Sequence, residues 1–313
     1  MLGLLLLPTL AACLYSTRWM QLAVFPDVSG VPVLKEISGG PLARHINAVT
    51  DTAVNALTGA CTGFKNAVTY GLLNPLQSLM ANCPWWTMAI VILAVAYLLG
   101  GWRPLAISAV CEAVIFGTGL WNDAMVTLTM TLVATAIVMV AAVILGVGMG
   151  RSRRVDVIVR PFLDGFQTIP AFVYLVPALA LFAATRFTAI VAAMAYAVPI
   201  ATKLVADGIR GVSPSTVEAA RSTGSTTWQM ISKVQLPMAR EALVLATNQG
   251  LLYVLSMVVI GGMVGGGSLG YIIVQGFSQG QLFGKGLAAG IAITAMGVML
   301  DRIARYAAER YGR

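Results

Sequence analysis

Long apolar runs alternate with short polar stretches along most of this chain. Runs of this length with few charges read as helices that cross a membrane. They fall at 2–17, 85–100, 104–120, 124–149, 158–183, 187–207, 238–263 and 286–304. The pattern predicts an all-α polytopic membrane protein with about eight transmembrane helices. The first run has only about 15 apolar residues before Arg18 closes it.

Two stretches depart from the pattern. Residues 26–41 are rich in Pro and Gly and read as a loop. After them Leu42, Ile46, Val49, Ala53, Leu57, Ala60, Phe64 and Val68 recur at three- and four-residue steps, with Arg44, Asn47, Asp51, Asn55, Thr58, Thr62 and Lys65 on the other face. This spacing predicts an amphipathic helix over 42–68, lying in the membrane interface or packed outside the spans. Gly59 and Gly63 are the points where it would break in two.

The second departure is VEAARSTGSTTWQMISKVQLP at 217–237. Ser213-Pro214-Ser215 opens a helix, with Ser suited to the cap and Pro to the first turn. Ser215 and Glu218 have the spacing of a capping box. Gly224 is the natural stop, since it accepts the left-handed conformation at a helix end. Ser225 or Thr226 then caps a second short helix through Val234, and Leu236-Pro237 leads into the next span. The loop is a helix–Gly–helix finger. Its paired alanines either admit the groove of another protein or pack on the chain itself.

Composition agrees with a membrane protein. The 313 residues are 58% hydrophobic and only 10% charged, with mean hydropathy +0.84, whereas soluble domains carry about 25% charged residues. The net charge of +8 does not point to nucleic acid, because its distribution explains it. Arg103, Arg151, Arg153, Arg154, Arg160, Arg210, Arg221, Lys233, Arg240, Arg302, Arg305, Arg310 and Arg313 fall in alternate loops and the C-terminal tail, while the opposite short loops hold little beyond Arg186 and Lys285. By the positive-inside rule the basic side is cytoplasmic, which puts the finger and both termini inside and residues 18–84 outside.

Candidate chemistry is sparse. One histidine, His45, and no carboxylate pair or His/Cys cluster leave catalysis and metal binding without support. There is no GxxxxGK[ST], so the chain itself is not expected to hold ATP. Residues 265–270, GGGSLG, match GxGxxG, but at the end of an apolar span and without a strand before them. Cys13 and Cys111 fall in spans, whereas Cys61 and Cys83 share the external segment and could pair. LAAC at 10–13 resembles a lipoprotein cleavage box, but no basic segment precedes it, so 1–25 reads as an anchor. Glu112 and Lys203 lie well inside predicted spans; Lys203 and Asp207, four residues apart, are expected to pair. Glycines at 146, 148, 150, 261, 262, 265–267, 286 and 290 predict close helix approach.

The finger also carries a resemblance. Glu218-Ala219-Ala220, three residues, Gly224, nine residues, Val234, one residue and Leu236-Pro237 resemble the EAA loop of ABC importer permeases, with Val234 where Ile is usual. WNDAMVTL (121–128), DGFQTIPAFVYLVPALALF (164–182), KVQLP (233–237), LSMVVIGGMV (255–264) and GVMLDRI (297–303) are similar to the glycine betaine/proline betaine branch. The resemblance covers 121–305 strongly and 42–120 only in layout; a span at 2–17 departs from some members.

The resemblance implies a type I importer fold in a bacterial cell membrane. It implies a second permease copy or a related chain, two cytoplasmic ATPase subunits that hold ATP and Mg, and an external binding protein that delivers a quaternary ammonium osmolyte. The chain then divides into an anchor (1–25), an external loop and interfacial helix (26–84), two peripheral spans (85–120) and a core permease domain (121–313) with its coupling loop at 208–237. Glu218, Ala219, Ala220, Gly224, Leu236 and Pro237 would carry the coupling to the ATPase. Pathway candidates are Gln167, Pro170, Phe172, Tyr174 and Pro177, where two prolines can interrupt a span, and more weakly Ser256 and Met257. Phe172 and Tyr174 either offer π faces to a permanent cation or pack between helices. From a different class, an ion-coupled secondary carrier would share the membrane pattern but need no ATPase.

Overall fold

The computed structural model describes residues 41–312. The run at 2–17, the anchor at 1–25 and all but the last residue of the loop at 26–41 lie outside the described residues. Among the described residues every regular element is helical. The chain divides into two compact units at Thr58 and Gly59.

The described part of the first unit is the start of helix α1, Pro41–Val68. Its Thr52 and Thr58 hydroxyls donate back to the carbonyls of Ala48 and Val54. The predicted break is not there. α1 runs unbroken through Gly59 and Gly63, since a cost of about 1 kcal/mol per glycine is too small to stop a long, Ala-rich helix.

The second unit begins with the last turns of α1. A π-helical turn, Thr69–Leu73, carries the chain into α2, Asn74–Asn82. The stretch Thr58–Asn82 then meets α3, Trp85–Gly100, at 111°. α4 (Trp102–Gly117), α5 (Trp121–Arg151), α6 (Arg153–Thr168), α7 (Leu175–Phe182), α8 (Arg186–Arg210) and α9 (Pro214–Ser222) follow. α10 (Arg240–Ile260) continues as a 3-10 turn to Val264, and α11 (Ser268–Ser278) and α12 (Phe283–Gly312) complete the chain.

α5, α8, α10 with its extension to Val264, and the stretch Gly280–Arg310 are long and apolar enough to cross a membrane; counting each bent pair as one span raises the number from 4 to 6. The runs at 85–100 and 104–120 match α3 and α4, helices of 16 residues each. At 1.5 Å per residue each reaches about 24 Å, short of a hydrocarbon core of about 30 Å.

The run at 158–183 is not one straight helix. α6 ends at Thr168, and the following segment departs at 109°. Pro170 explains the position of the bend. Its ring disfavours helical geometry at the residue before it, and Ile169 is extended with ψ 127°. The chain re-enters helix through a 3-10 turn at Ala171–Tyr174.

α5, α8 and α10 form the main core. α8 turns Ala189, Ala193, Ala197 and Ala201, all fully buried, along one face, and α5 offers Ala134, Val138 and Ala142. Small residues let backbones approach closely where lipid removes the hydrophobic drive. A Cβ at Gly146 would lie 2.7 Å from Val205, and one at Gly150 2.7 Å from Ile209. Gly290 differs from the expectation, because nothing lies within 4 Å of where its Cβ would stand. A second core gathers Met88, Ile115, Met125, Leu128, Leu269 and Met296 from α3, α4, α5, α11 and α12. There the Thr127 hydroxyl accepts from the Leu269 amide at 3.2 Å.

The GxGxxG-like stretch is a packing corner. A Cβ at Gly270 would fall 2.4 Å from the Val259 carbonyl oxygen, and one at Gly262 would fall 2.3 Å from the Gly270 carbonyl carbon. Glu112 is buried on α4. Cys61, Cys83 and Cys111 are free thiols.

Candidate functional site

The finger leaves the end of α8 and returns at the start of α10. Ser213 is the N-cap of α9, with Pro214 in the first turn. The expected Ser215–Glu218 capping box is absent, because Ser215 already lies inside α9; its hydroxyl meets that of Ser213 at 2.7 Å. α9 ends as the glycine predicts. Gly224 has φ +78°, its amide bonds the Arg221 carbonyl at 2.9 Å, and the Ser225 amide bonds the Ala220 carbonyl at 3.3 Å. This is a Schellman closure, in which two otherwise orphaned carbonyls are satisfied.

Thr226 and Gln229 then form the capping box that starts the second arm. The Gln229 amide bonds the Thr226 hydroxyl at 3.3 Å, and the Thr226 amide bonds the Gln229 side chain at 2.9 Å. This arm passes Val234 and reaches Met238 through a π-helical turn at Met230–Gln235.

One face of the finger is tied to the chain. Val212 and Met230 are buried, and Val217, Ile231 and Leu236 pack against the main core. Arg151, the last residue of α5, donates through Nη1 to Oε1 of buried Gln235. The other face is bare. Glu218, Ala219, Gly224 and Pro237 are exposed, Ala220 is half-buried, and Trp228 is 74% exposed. The loop therefore packs on the chain along one side and leaves the other, with Glu218 and Ala219, open. Trp228 escaped sequence reasoning; its signal was an aromatic inside an otherwise polar loop.

The bent segment lies against α8. Gln167, Pro170, Phe172 and Pro177 are exposed, Phe172 by 57%. Tyr174 is buried at 5%. Its hydroxyl donates to the Phe166 carbonyl across the bend, its ring stacks on Phe166 at 6.3 Å, and it meets Tyr196 of α8 edge-on at 5.8 Å. Tyr196 in turn lies 5.2 Å from Tyr253 of α10. A row of aromatic rings thus joins α6, α8 and α10. Tyr196 and Tyr253 were missed, since nothing local in sequence marks residues that pair across helices. Ser256 is exposed and donates to the Leu252 carbonyl at 2.9 Å, while its neighbour Met257 is fully buried, so the two do not share a surface.

The expected Lys203–Asp207 pair does not form. Lys203 reaches across to α6, where it contacts Asp164 and donates to Gln167. Asp207 instead takes Arg210 at 3.0 Å and Arg160 at 3.8 Å.

The chain is similar to known proteins. Residues 139–313 match the family model described as binding-protein-dependent transport system inner membrane component. The glycine betaine/carnitine transport permease protein GbuB of Listeria monocytogenes is 36% identical over 84% of this chain and 94% of its own. The glycine betaine/proline betaine transport system permease protein ProW of Escherichia coli is 34% identical over 91% of this chain and 80% of its own. Among solved structures, an inward-facing form of the MetNI methionine ABC transporter superposes with TM-score 0.55, at 23% identity, over 62% of this chain and 96% of that one. That likeness is one of fold.

Proposed function

The chain belongs to the binding-protein-dependent transport system inner membrane component family, and we propose that it is the membrane permease of an ATP-driven importer for glycine betaine or a related quaternary ammonium osmolyte such as proline betaine, carnitine or choline. The observation that carries this reading is the finger. A helix–Schellman–helix hairpin is rigid, is fastened to the core along one side, and presents Glu218, Ala219 and Trp228 on the other. Such a surface suits a groove on a partner, and identity to betaine permeases over most of the chain supplies the substrate class.

In this mechanism two cytoplasmic ATPase subunits, which hold ATP and Mg, receive the fingers of two permease copies. Movement of each ATPase displaces its finger as a rigid body and reorients the helices to which it is rooted. An external binding protein delivers the osmolyte. Glu218, Ala219, Ala220 and Gly224 shape the docking surface, and Leu236 and Pro237 set its exit into α10. Gln167, Pro170, Phe172 and Pro177 of the bent segment line the route of the solute, with Tyr174 beneath them as the packed support. The basic segments at the α5–α6 junction, the finger and the end of α12 favour a cytoplasmic location for this side and for the C-terminus.

Reconstitution tests the reading. The chain is co-purified with candidate ATPase and binding proteins and placed in vesicles, and uptake of labelled glycine betaine is followed. ATP-dependent uptake that needs all three components is expected. Uptake without ATP that stops when an ion gradient is collapsed would establish a secondary carrier instead.

A further inference from the structure

α6 and α8 face each other through charges that alternate in sign. Asp156, Arg160 and Asp164 recur every four residues, and so share one face of α6. Lys203, Asp207 and Arg210 share one face of α8 in the same way. The helices run antiparallel, and each charge meets its opposite. Asp156 lies 3.2 Å from Arg210, Arg160 3.8 Å from Asp207, and Asp164 contacts Lys203. Within each helix the neighbours also pair, Arg160 to Asp156 at 3.0 Å and Arg210 to Asp207 at 3.0 Å. Six groups therefore form one connected network rather than isolated surface pairs, which individually contribute little.

Its position matters more than its strength. The Arg210 end lies three residues before Ser213, where the finger begins. The Lys203 end grips the last turn of α6 through Asp164 and Gln167, directly before the Ile169–Pro170 bend. A path of fixed contacts thus joins the root of the finger to the segment that bends.

We propose that this charge ladder is the element that transmits displacement of the finger to the bent segment, with Lys203 and Asp164 as positioning residues at the bend. The proposal rests on the importer reading and adds to it the residues that link its two parts. Arg160 and Arg210 hold α6 to α8 near the finger, and the Lys203–Asp164 rung moves the end of α6 when α8 moves.

The test uses the reconstituted complex and reads labelled glycine betaine taken up per ATP hydrolysed. Lys203→Asp sets like charges face to face, and the ratio is expected to fall about tenfold while the ATPase subunits still co-purify. Combining Lys203→Asp with Asp164→Lys restores opposite charges, and is expected to bring the ratio back to within about twofold of the unaltered chain. Rescue by the swap ties the effect to the Lys203–Asp164 pair, and a fall in uptake per ATP with the ATPase still bound separates coupling from loss of fold. Should Lys203→Asp fail to assemble, Lys203→Gln takes its place and the same swap is compared with it. The proposal is overturned if the single change leaves the ratio unaltered, or if the swap is no better than the single change. Absence of ATP-dependent uptake in the unaltered complex would overturn the importer reading instead, so the two failures are told apart.

Discussion

Arg151, at the end of α5, hydrogen-bonds Gln235, 84 residues further along, and so fastens the far arm of the finger to the core. Gln235 is buried, and its amide oxygen has this guanidinium as partner. Arg151→Ala would orphan a buried acceptor at a cost of about 1–3 kcal/mol. The cost falls on the finger rather than on the helix bundle, so local opening should increase. Trypsin cleavage at exposed Arg221 and Lys233 is the measurement: it should be faster in the variant, and an unchanged rate would mean that other contacts hold the finger.

Trp228 is the largest exposed apolar group on the finger. Large aromatic side chains dominate protein interfaces. Trp228→Ala should weaken association with the ATPase subunit by about 2 kcal/mol, roughly 30-fold in affinity. The fold of the permease itself should be unaffected, because the indole supports nothing else. Titration of ATPase onto the detergent-solubilised chain reads this directly, and equal affinity would place Trp228 outside the contact.

Gly224 has φ +78°, where a β-branched residue is strained whatever space surrounds it. Gly224→Val should disrupt the Schellman closure and misalign the two arms, uncoupling ATP hydrolysis from uptake. Gly224→Asn, which tolerates the left-handed region, should lose far less. Equal uptake by the Val variant and the unaltered chain would refute the rigid-finger mechanism.

Tyr174 separates packing from chemistry. Tyr174→Ala removes a buried ring and should cost about 3–5 kcal/mol, visible as a lowered Tm. Tyr174→Phe keeps the ring stack but deletes the hydroxyl that bonds the Phe166 carbonyl across the bend. Its expected effect is a cost of about 0.5–1.5 kcal/mol, since the Phe166 carbonyl keeps the Ile169 amide, and slowed uptake with ATPase docking intact. Uptake at the original rate in Tyr174→Phe would assign the residue to packing alone.

What the sequence revealed follows the range of the interactions. The finger was legible because caps and glycine stops act within a few residues: Ser213-Pro214, Gly224 and Thr226 fell where local rules put them. The capping box was expected on the first arm, yet Ser213 rather than Ser215 caps that helix, and the box forms instead at Thr226–Gln229 on the second arm. Pro170 announced a break, but not its 109° angle, which depends on what α8 offers the returning segment. The 11-residue helix α11 falls between two predicted spans, where a short apolar stretch with glycines carries no clear period. Long-range pairings were hidden altogether. Lys203 has Asp207 one turn away, yet it bonds Asp164 on another helix, and Tyr174, Tyr196 and Tyr253 come together only in three dimensions.

The order of signs between α6 and α8 also restricts how these helices can move. If α6 slid along α8 by one turn, about 5.4 Å, Asp156 would come opposite Asp207 and Arg160 opposite Lys203. A one-turn slide in either direction sets like against like, so the observed register is favoured over its nearest neighbours. The ladder therefore favours tilting or rotating the two helices together over sliding one along the other by a turn. In the proposed mechanism, motion of the finger would then reach the bend as a turn rather than a slip, as the turn of a key reaches its lock.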